Sequence, residues 1–203
     1  MKKLLILLLF FPLSSWALFE ARATYGGVVS KDAMADACAG TACAGLTPSM
    51  VPLYGLGVDA ILKLPLIPIG FGLRYENLGL SASKNGISGD AKMSRTALLV
   101  NYRLIDTIIH MGFIGSYGLN HDGHITIANN GSNVVDFTAN SVTTYSIGAE
   151  LEVKPLIVIP LIVGGELGYM GAKWKNAHDN VSGNDKDLDL SGTYIKFFLG
   201  IDI

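Results

Sequence analysis

The sequence predicts an all-β fold, an eight-stranded antiparallel up-and-down transmembrane β-barrel. Segments of about ten residues alternate apolar with small or charged side chains, the signature of two-faced strands, and the pattern recurs roughly eight times along the chain. The chain is oily, with mean hydropathy +0.41 and only 16% charged residues. Beyond its first residues, however, it has no run of ~18 apolar residues long enough to span a bilayer as a helix. Backbone placed in lipid must satisfy its own hydrogen bonds, and a closed barrel does so without helices. The links between segments alternate short and long, the rhythm of outer-membrane barrels.

The amino terminus reads as an export signal. Lys2 and Lys3 precede an apolar run from Leu4 to Leu13, and Ser15-Trp16-Ala17 supplies small residues at a cleavage site. The run is about half the ~20 residues a spanning helix needs. Residues 1–17 are therefore expected to be a signal peptide and 18–203 the barrel domain, beginning at Leu18. Removing Lys2 and Lys3 takes the formal charge from −2 to −4, which argues against nucleic acid as a partner.

The strands follow in order. Phe19–Val28 sets Glu20 and Arg22 against Tyr25. Val51–Leu64 sets Gly57, Asp59 and Lys63 against Tyr54. Pro68–Leu78 carries Gly70, Gly72, Arg74 and Glu76 opposite Tyr75. Met93–Leu104 carries Arg95 and Arg103, and Ile108–Leu119 carries His110, Gly112 and Gly118 opposite Tyr117. In Val142–Val153 the alternation is cleanest: Tyr145, Ile147, Ala149, Leu151 and Val153 on one face, Gly148, Glu150 and Glu152 on the other. Pro160–Lys173 sets Gly164, Glu166 and Gly168 against Tyr169. Leu190–Ile203 sets Lys196, Gly200 and Asp202 against Ile195, Phe197, Leu199, Ile201 and Ile203. Short links fall near Pro65, Asp106 and 155–159. Long polar links span 30–50, 79–92, 120–141 and 174–189. Pro65, Pro68, Pro155 and Pro160 sit at short turns, with Pro48 and Pro52 near the end of the first long link, all away from mid-strand positions where proline would remove a ladder bond.

Alternation alone leaves the direction of the oily face open. A lipocalin-like soluble carrier would turn it inward around a ligand. Outward is favoured here because the polar face mixes charges with many glycines, as a narrow filled interior requires. The tyrosines agree: Tyr25, Tyr54, Tyr75, Tyr117, Tyr145 and Tyr169 all take the oily phase toward the long-link ends, as an interfacial aromatic girdle would. The charges also balance. The cations Arg22, Lys63, Arg74, Arg95, Arg103, Lys154 and Lys196 face the anions Glu20, Asp59, Glu76, Glu150, Glu152, Glu166 and Asp202. A cation on the lipid face at mid-bilayer costs ~2–4 kcal/mol, so these belong in the lumen.

The carboxyl end carries a resemblance. Ile195, Phe197, Leu199, Ile201 and Ile203 alternate to the last residue, which is similar to the assembly signal of the small OmpA/OmpX-type outer-membrane barrels, although that family usually ends in phenylalanine. The resemblance covers residues 18–203 as pattern and implies the bacterial outer membrane as location.

An eight-stranded barrel is just wide enough for its own side chains, so the lumen charges are expected to pair and plug it. A narrow, porin-like channel or transporter for small or hydrophobic solutes is the alternative. Cys38 and Cys43, in an oxidising compartment, are expected to form a small disulfide in the first long link. His121, His124 and His178 could meet as a metal site, but polar turns are the expected reading, with no metal or cofactor. The acidic fourth link (Asp179, Asp185, Asp187, Asp189) lacks calcium-loop spacing. Lipid-modifying barrels of this size use a His-x-Ser pair, and no histidine here has serine two residues on, so no enzyme is expected. The expected role is structural or surface interaction through long extracellular loops, as a monomer among outer-membrane lipids.

Overall fold

The computed structural model describes residues 19–30, 51–64, 67–84, 86–139, 141–155 and 160–203. The signal peptide, the first long link with Cys38 and Cys43, Pro48 and Pro65 lie outside the described residues. The strands are β1 (Phe19–Ser30), β2 (Val51–Lys63), β3 (Ile69–Lys84), β4 (Ile87–Asp106), β5 (Ile109–Asn129), β6 (Ser132–Thr138), β7 (Ser141–Val153), β8 (Leu161–Asp179), β9 (Asp185–Asp189) and β10 (Gly192–Asp202).

All pairings are antiparallel, and β10 returns to β1, closing a ring of 8 strands. Ten segments make eight staves because two staves are interrupted. β6 and β7 descend in line, pairing with the upper and lower parts of β5 and β8, and β9 continues into β10. The register fixes the tilt. The row Glu20–Ile61–Gly72–Leu99–Ser116–Ser146–Met170–Gly192 arrives back on β1 at Ser30. One circuit therefore climbs from the second residue of β1 to its last, which requires strands tilted by about 35–45°. Reciprocal bonds between Phe19 and Ile203 (2.9 and 2.8 Å) seal the seam at the short-turn end.

Three links expected to be long polar loops are hairpins instead. β3 and β4 stay paired to Lys84–Ile87, β5 and β6 to Asn129–Ser132, and β8 and β9 close over 180–184. These hairpins obey the opposite code. In β4, Ala91 and Met93 point inward while Ser88, Asp90, Lys92 and Ser94 point outward; lower down, the outward residues are Leu98, Val100, Tyr102 and Leu104. The upper segments are ordinary water-facing sheet, with apolar residues inside. Val28, Leu53, Leu78, Met93, Ile125, Ile127, Phe137, Met170, Trp174, Leu188, Leu190 and Tyr194 belong to one buried cluster that fills the upper barrel.

Asn130 and Gly131 turn the β5–β6 hairpin with φ of 49° and 85°, the two-residue geometry that asparagine-glycine favours. Gly131→Ala is expected to cost about 1–2 kcal/mol, the left-handed penalty of a Cβ. The loss should appear as faster amide exchange in Ile125–Phe137, with the lower barrel unchanged.

Candidate functional site

The lumen charges form two tiers. In the lower tier the Arg22 guanidinium on β1 donates through Nε to Glu20 and through Nη1 to Glu150, and through Nη2 to Glu150 and Glu152 at 3.1 Å each. Glu150 and Glu152 stand on β7, so this fork reaches across the interior. Arg103 on β4 donates to Glu20 at 2.7 Å, to Asp106 at 3.1 Å and to Asn101 at 3.2 Å. Asn101 in turn donates to Glu150 at 2.7 Å. Lys63 bridges Glu20, at 2.6 Å, and Asp202. Lys154 reaches Asp202 at 2.8 Å, and His110 Nε2 lies 3.3 Å from Glu150. The Phe198 ring stacks under Arg22 at 4.1 Å, a cation–π contact.

The upper tier centres on Arg74. Its fork takes Asp59 bidentately at 2.8 and 2.7 Å and Glu166, on β8, at 3.1 and 2.5 Å. β3 and β8 lie on opposite sides of the ring, so Arg74 spans it. Arg95 donates to Glu76 at 2.5 Å, and Lys196 holds the same carboxylate. Planar guanidinium forks suit such two-sided pairing better than ammonium groups.

Of the lumen residues expected from the sequence, Glu20, Arg22, Asp59, Lys63, Arg74, Glu76, Arg95, Arg103, Glu150, Glu152, Glu166, Lys196 and Asp202 are buried. Lys154 is only partly covered, because it sits at the rim beside Asp106 and Asp202. The tyrosines Tyr25, Tyr54, Tyr75, Tyr117, Tyr145 and Tyr169 all point outward, 46–58% exposed. On several strands they stand at the polarity switch: beyond Tyr75 the next outward residue is Asn77, beyond Tyr145 it is Thr143, and beyond Tyr169 come Gly171 and Lys173.

The histidines take separate partners. His124 faces Asp136 at 2.6 Å, His178 faces Asp185 at 2.7 Å, and His121 packs against Trp174. Among the described residues one acidic group, Glu20 with Glu152 and Asp202, is close enough to hold a cation. Lys63, Arg103, Arg22 and Lys154 already meet its charge. Sequence reading missed the inward aromatics. Tyr194 and Phe198 share the polar phase of Lys196, a signal that was available, whereas Trp174 was assigned to a loop.

No family model matches the sequence, and no curated protein matches it. Among solved structures, the chain is similar to Neisserial surface protein A, NspA, with TM-score 0.49 and 11% identity over 91% of this chain and 96% of that one. It is similar to Ail, the attachment invasion locus protein of Yersinia pestis, solved with the heparin analogue sucrose octasulfate, with TM-score 0.47 and 12% identity over 90% and 93%. Acinetobacter baumannii CarO gives TM-score 0.38 and 12% identity over 89% and 97%.

Removing Arg22 would leave the buried Glu152 without its cation and take one charged partner from Glu20 and from Glu150. Arg22→Met is expected to destabilise the folded barrel by about 3–5 kcal/mol, the cost of breaking a buried ion pair from one side. A urea titration read by heat-modifiable gel mobility measures this.

Proposed function

We propose that the protein is an integral outer-membrane barrel whose lumen is plugged by its own ion pairs, and that it works without catalysis, through the hairpins and the first long link on its outer side. The observation that carries the membrane placement is the outward apolar belt. On β5 it runs Ile109, Met111, Phe113, Gly115, Tyr117, Leu119. At ~3.3 Å per residue and the tilt above, that is roughly 25 Å of bilayer height. The tyrosines where this belt gives way to polar residues support the girdle reading, since their rings tolerate lipid while their hydroxyls need water. A soluble carrier would instead bathe such a belt in water while burying its charges, a distribution with no solvent to favour it.

The plug reading is supported by the cross-lumen forks. Arg22, Arg74 and Arg103 each bridge separate strands in the interior, so a wide water column would have to break buried pairs. The non-catalytic reading is supported by the ion-pair partners of the lower-tier acids and bases, which leave no free nucleophile–base couple among the described residues of that tier. The outer hairpins would then carry contacts to other surfaces, because they project past the belt with polar outward faces. Nothing in these contacts favours transport, and channel activity is an outcome of the test below.

Leu73→Arg, in the middle of the belt, should destabilise the protein folded in lipid vesicles by about 2–4 kcal/mol, while Ser88→Arg above it should change little. Equal effects at both sites would overturn the membrane placement. In planar bilayers the folded protein should pass no steady large-pore current, and such a current would overturn the plug. Shortening the β5–β6 and β8–β9 hairpins should abolish adhesion of cells bearing the protein without altering heat-modifiable mobility. Unchanged adhesion after both hairpins and 31–50 are removed would overturn the surface role.

A further inference from the structure

His110 is sealed inside the short-turn end of the lumen, at 0% exposure, and neither of its ring nitrogens completes a full hydrogen bond. Nδ1 lies 3.7 Å from Oδ1 of Asp106, and Nε2 lies 3.3 Å from Oε1 of Glu150. The backbone sets this up. His110 is the register partner of Asp106 on β4 and of Glu152 on β7, so its ring enters the lumen with a carboxylate-bearing strand on either side. Asp106 is a rim residue with a 46% exposed side chain, whereas Glu150 is buried in the grip of Arg22.

Both nitrogens therefore face acceptors. A neutral imidazole carries one N–H and one lone pair; only the doubly protonated ring can donate on both sides. The other charged groups around the ring point the same way. On β4, Arg103 is taken up by Asp106 and Glu20. On β7, Glu152 keeps one buried oxygen without a partner. Lys154, just beyond β7, reaches Asp106 at 3.8 Å and Asp202 at 2.8 Å. Across the lower tier, among the described residues, the four cations Arg22, Lys63, Arg103 and Lys154 meet five carboxylates, those of Glu20, Asp106, Glu150, Glu152 and Asp202. A second proton on His110 supplies the fifth positive charge.

The two sides of the ring are not equivalent. When the ring gives up one proton, a lone pair must face either Glu150 or Asp106. Glu150 is not free to turn away: Arg22 holds both of its oxygens, and Asn101 donates to it at 2.7 Å. Asp106 is half exposed and can swing into water. A carboxylate held against a lone pair in the interior is costly, and a solvated one is not. The proton on Nδ1 is therefore the one that leaves, and the contact to Asp106 is the one that breaks. Asp106 ends β4, directly before the turn that the Thr107 N–H closes onto the Ile109 carbonyl at 3.2 Å. It also holds Arg103 at 3.1 Å.

We propose that His110 is a proton-operated latch at the short-turn end of the barrel. The doubly protonated ring ties the rim carboxylate of Asp106 to the buried Glu150. Loss of the Nδ1 proton frees Asp106 and loosens the turn beside it, while the Arg22 fork stays closed. The inference rests on the plugged-lumen reading above. A steady large-pore current would overturn that plug whatever His110 does, whereas the signals below test the latch in a folded barrel.

The full-length, isotope-labelled protein is refolded in detergent and followed by NMR from about pH 6 to about pH 9, where carboxylates stay ionised and lysines keep their protons. The chain has four histidines. Their ring signals are assigned by loss, one at a time, in His121→Gln, His124→Gln and His178→Gln, so the assignment needs no His110 variant. His110 should show two ring N–H signals at the acid end of the range and only the Nε2–H at the alkaline end. The amides of 107–109 and the Arg103 guanidinium should shift with the same midpoint, and the Arg22 guanidinium signals should persist. His110→Gln and Asp106→Asn should each abolish the pH response of the turn. Asp106→Asn alters only a half-exposed rim residue, so it decides should His110→Gln fail to fold. A single ring N–H throughout, or two retained throughout, would overturn the latch. So would loss of the Nδ1 proton with no response at the turn, or an unchanged response in the variants. Loss of the Arg22 signals in step with the ring would place the break at Glu150 and overturn the rim assignment.

Discussion

Arg22, Arg74 and Arg103 hold opposite or distant walls of the barrel together through carboxylates they share. In a ring this small, nearly every inward position is sealed from water, and a charge left without a partner there costs several kcal/mol. The same constraint polices register. Sliding one strand by a single residue would turn its charges outward and its leucines inward. A slip of β7, for example, would take Glu150 and Glu152 away from Arg22 and leave its Nη groups without their hydrogen-bond acceptors. The ion pairs therefore add specificity even where their net contribution to stability is small, because the alternatives to the native pairing are so costly.

Two opposed polarity codes coexist on the same continuous strands. Along β4 the outward residues change from Leu98 to Thr96 while the inward ones change from Arg95 to Met93. β5 and β8 do likewise, with Ile125 and Ile127 inward on one and Trp174 and Ala177 inward on the other. In the proposed membrane placement, the switch marks the level where the surroundings of the wall change from hydrocarbon to water. Below it, polar groups can be satisfied only inside; above it, only apolar groups profit from being inside.

This inversion explains what was legible in the sequence and what was not. The lower barrel is legible because its strands alternate strictly, as from Tyr145 to Val153, and because the charges and glycines of the polar phase fit a narrow filled interior. The staves, their antiparallel order and the inward phase of residues such as Glu20, Arg74 and Lys196 follow from it. The upper strands read as loops because their outward residues are serine, aspartate, asparagine and lysine, the composition of turns. Asn130-Gly131 between Ile125–Ile127 and Val135–Phe137 was a readable hairpin signal, but it was swamped by the polar residues around it. No sequence feature discloses that Arg22 forks to Glu150 on β7. Such a pair depends on tilt and closure, which the row from Glu20 to Ser30 sets only once all the staves are joined.

The boundary between the two codes is also where neither can be fully obeyed. Ion pairing ends at Glu76, which two cations share, and apolar packing begins with Met170, Leu78 and Trp174. A polar wall pairs with its own members only while acids and bases alternate in space, and the last rung has no carboxylate above it. A large aromatic such as Trp174 fills volume but brings an N–H that its apolar neighbours cannot accept. Unmet donors therefore accumulate at this junction for reasons of geometry, independent of any function. Gly118, Gly123 and Gly148 seat these side chains at the junction, since a Cβ there would come 2.0 Å from Thr144, 2.1 Å from Trp174 and 2.4 Å from Tyr194.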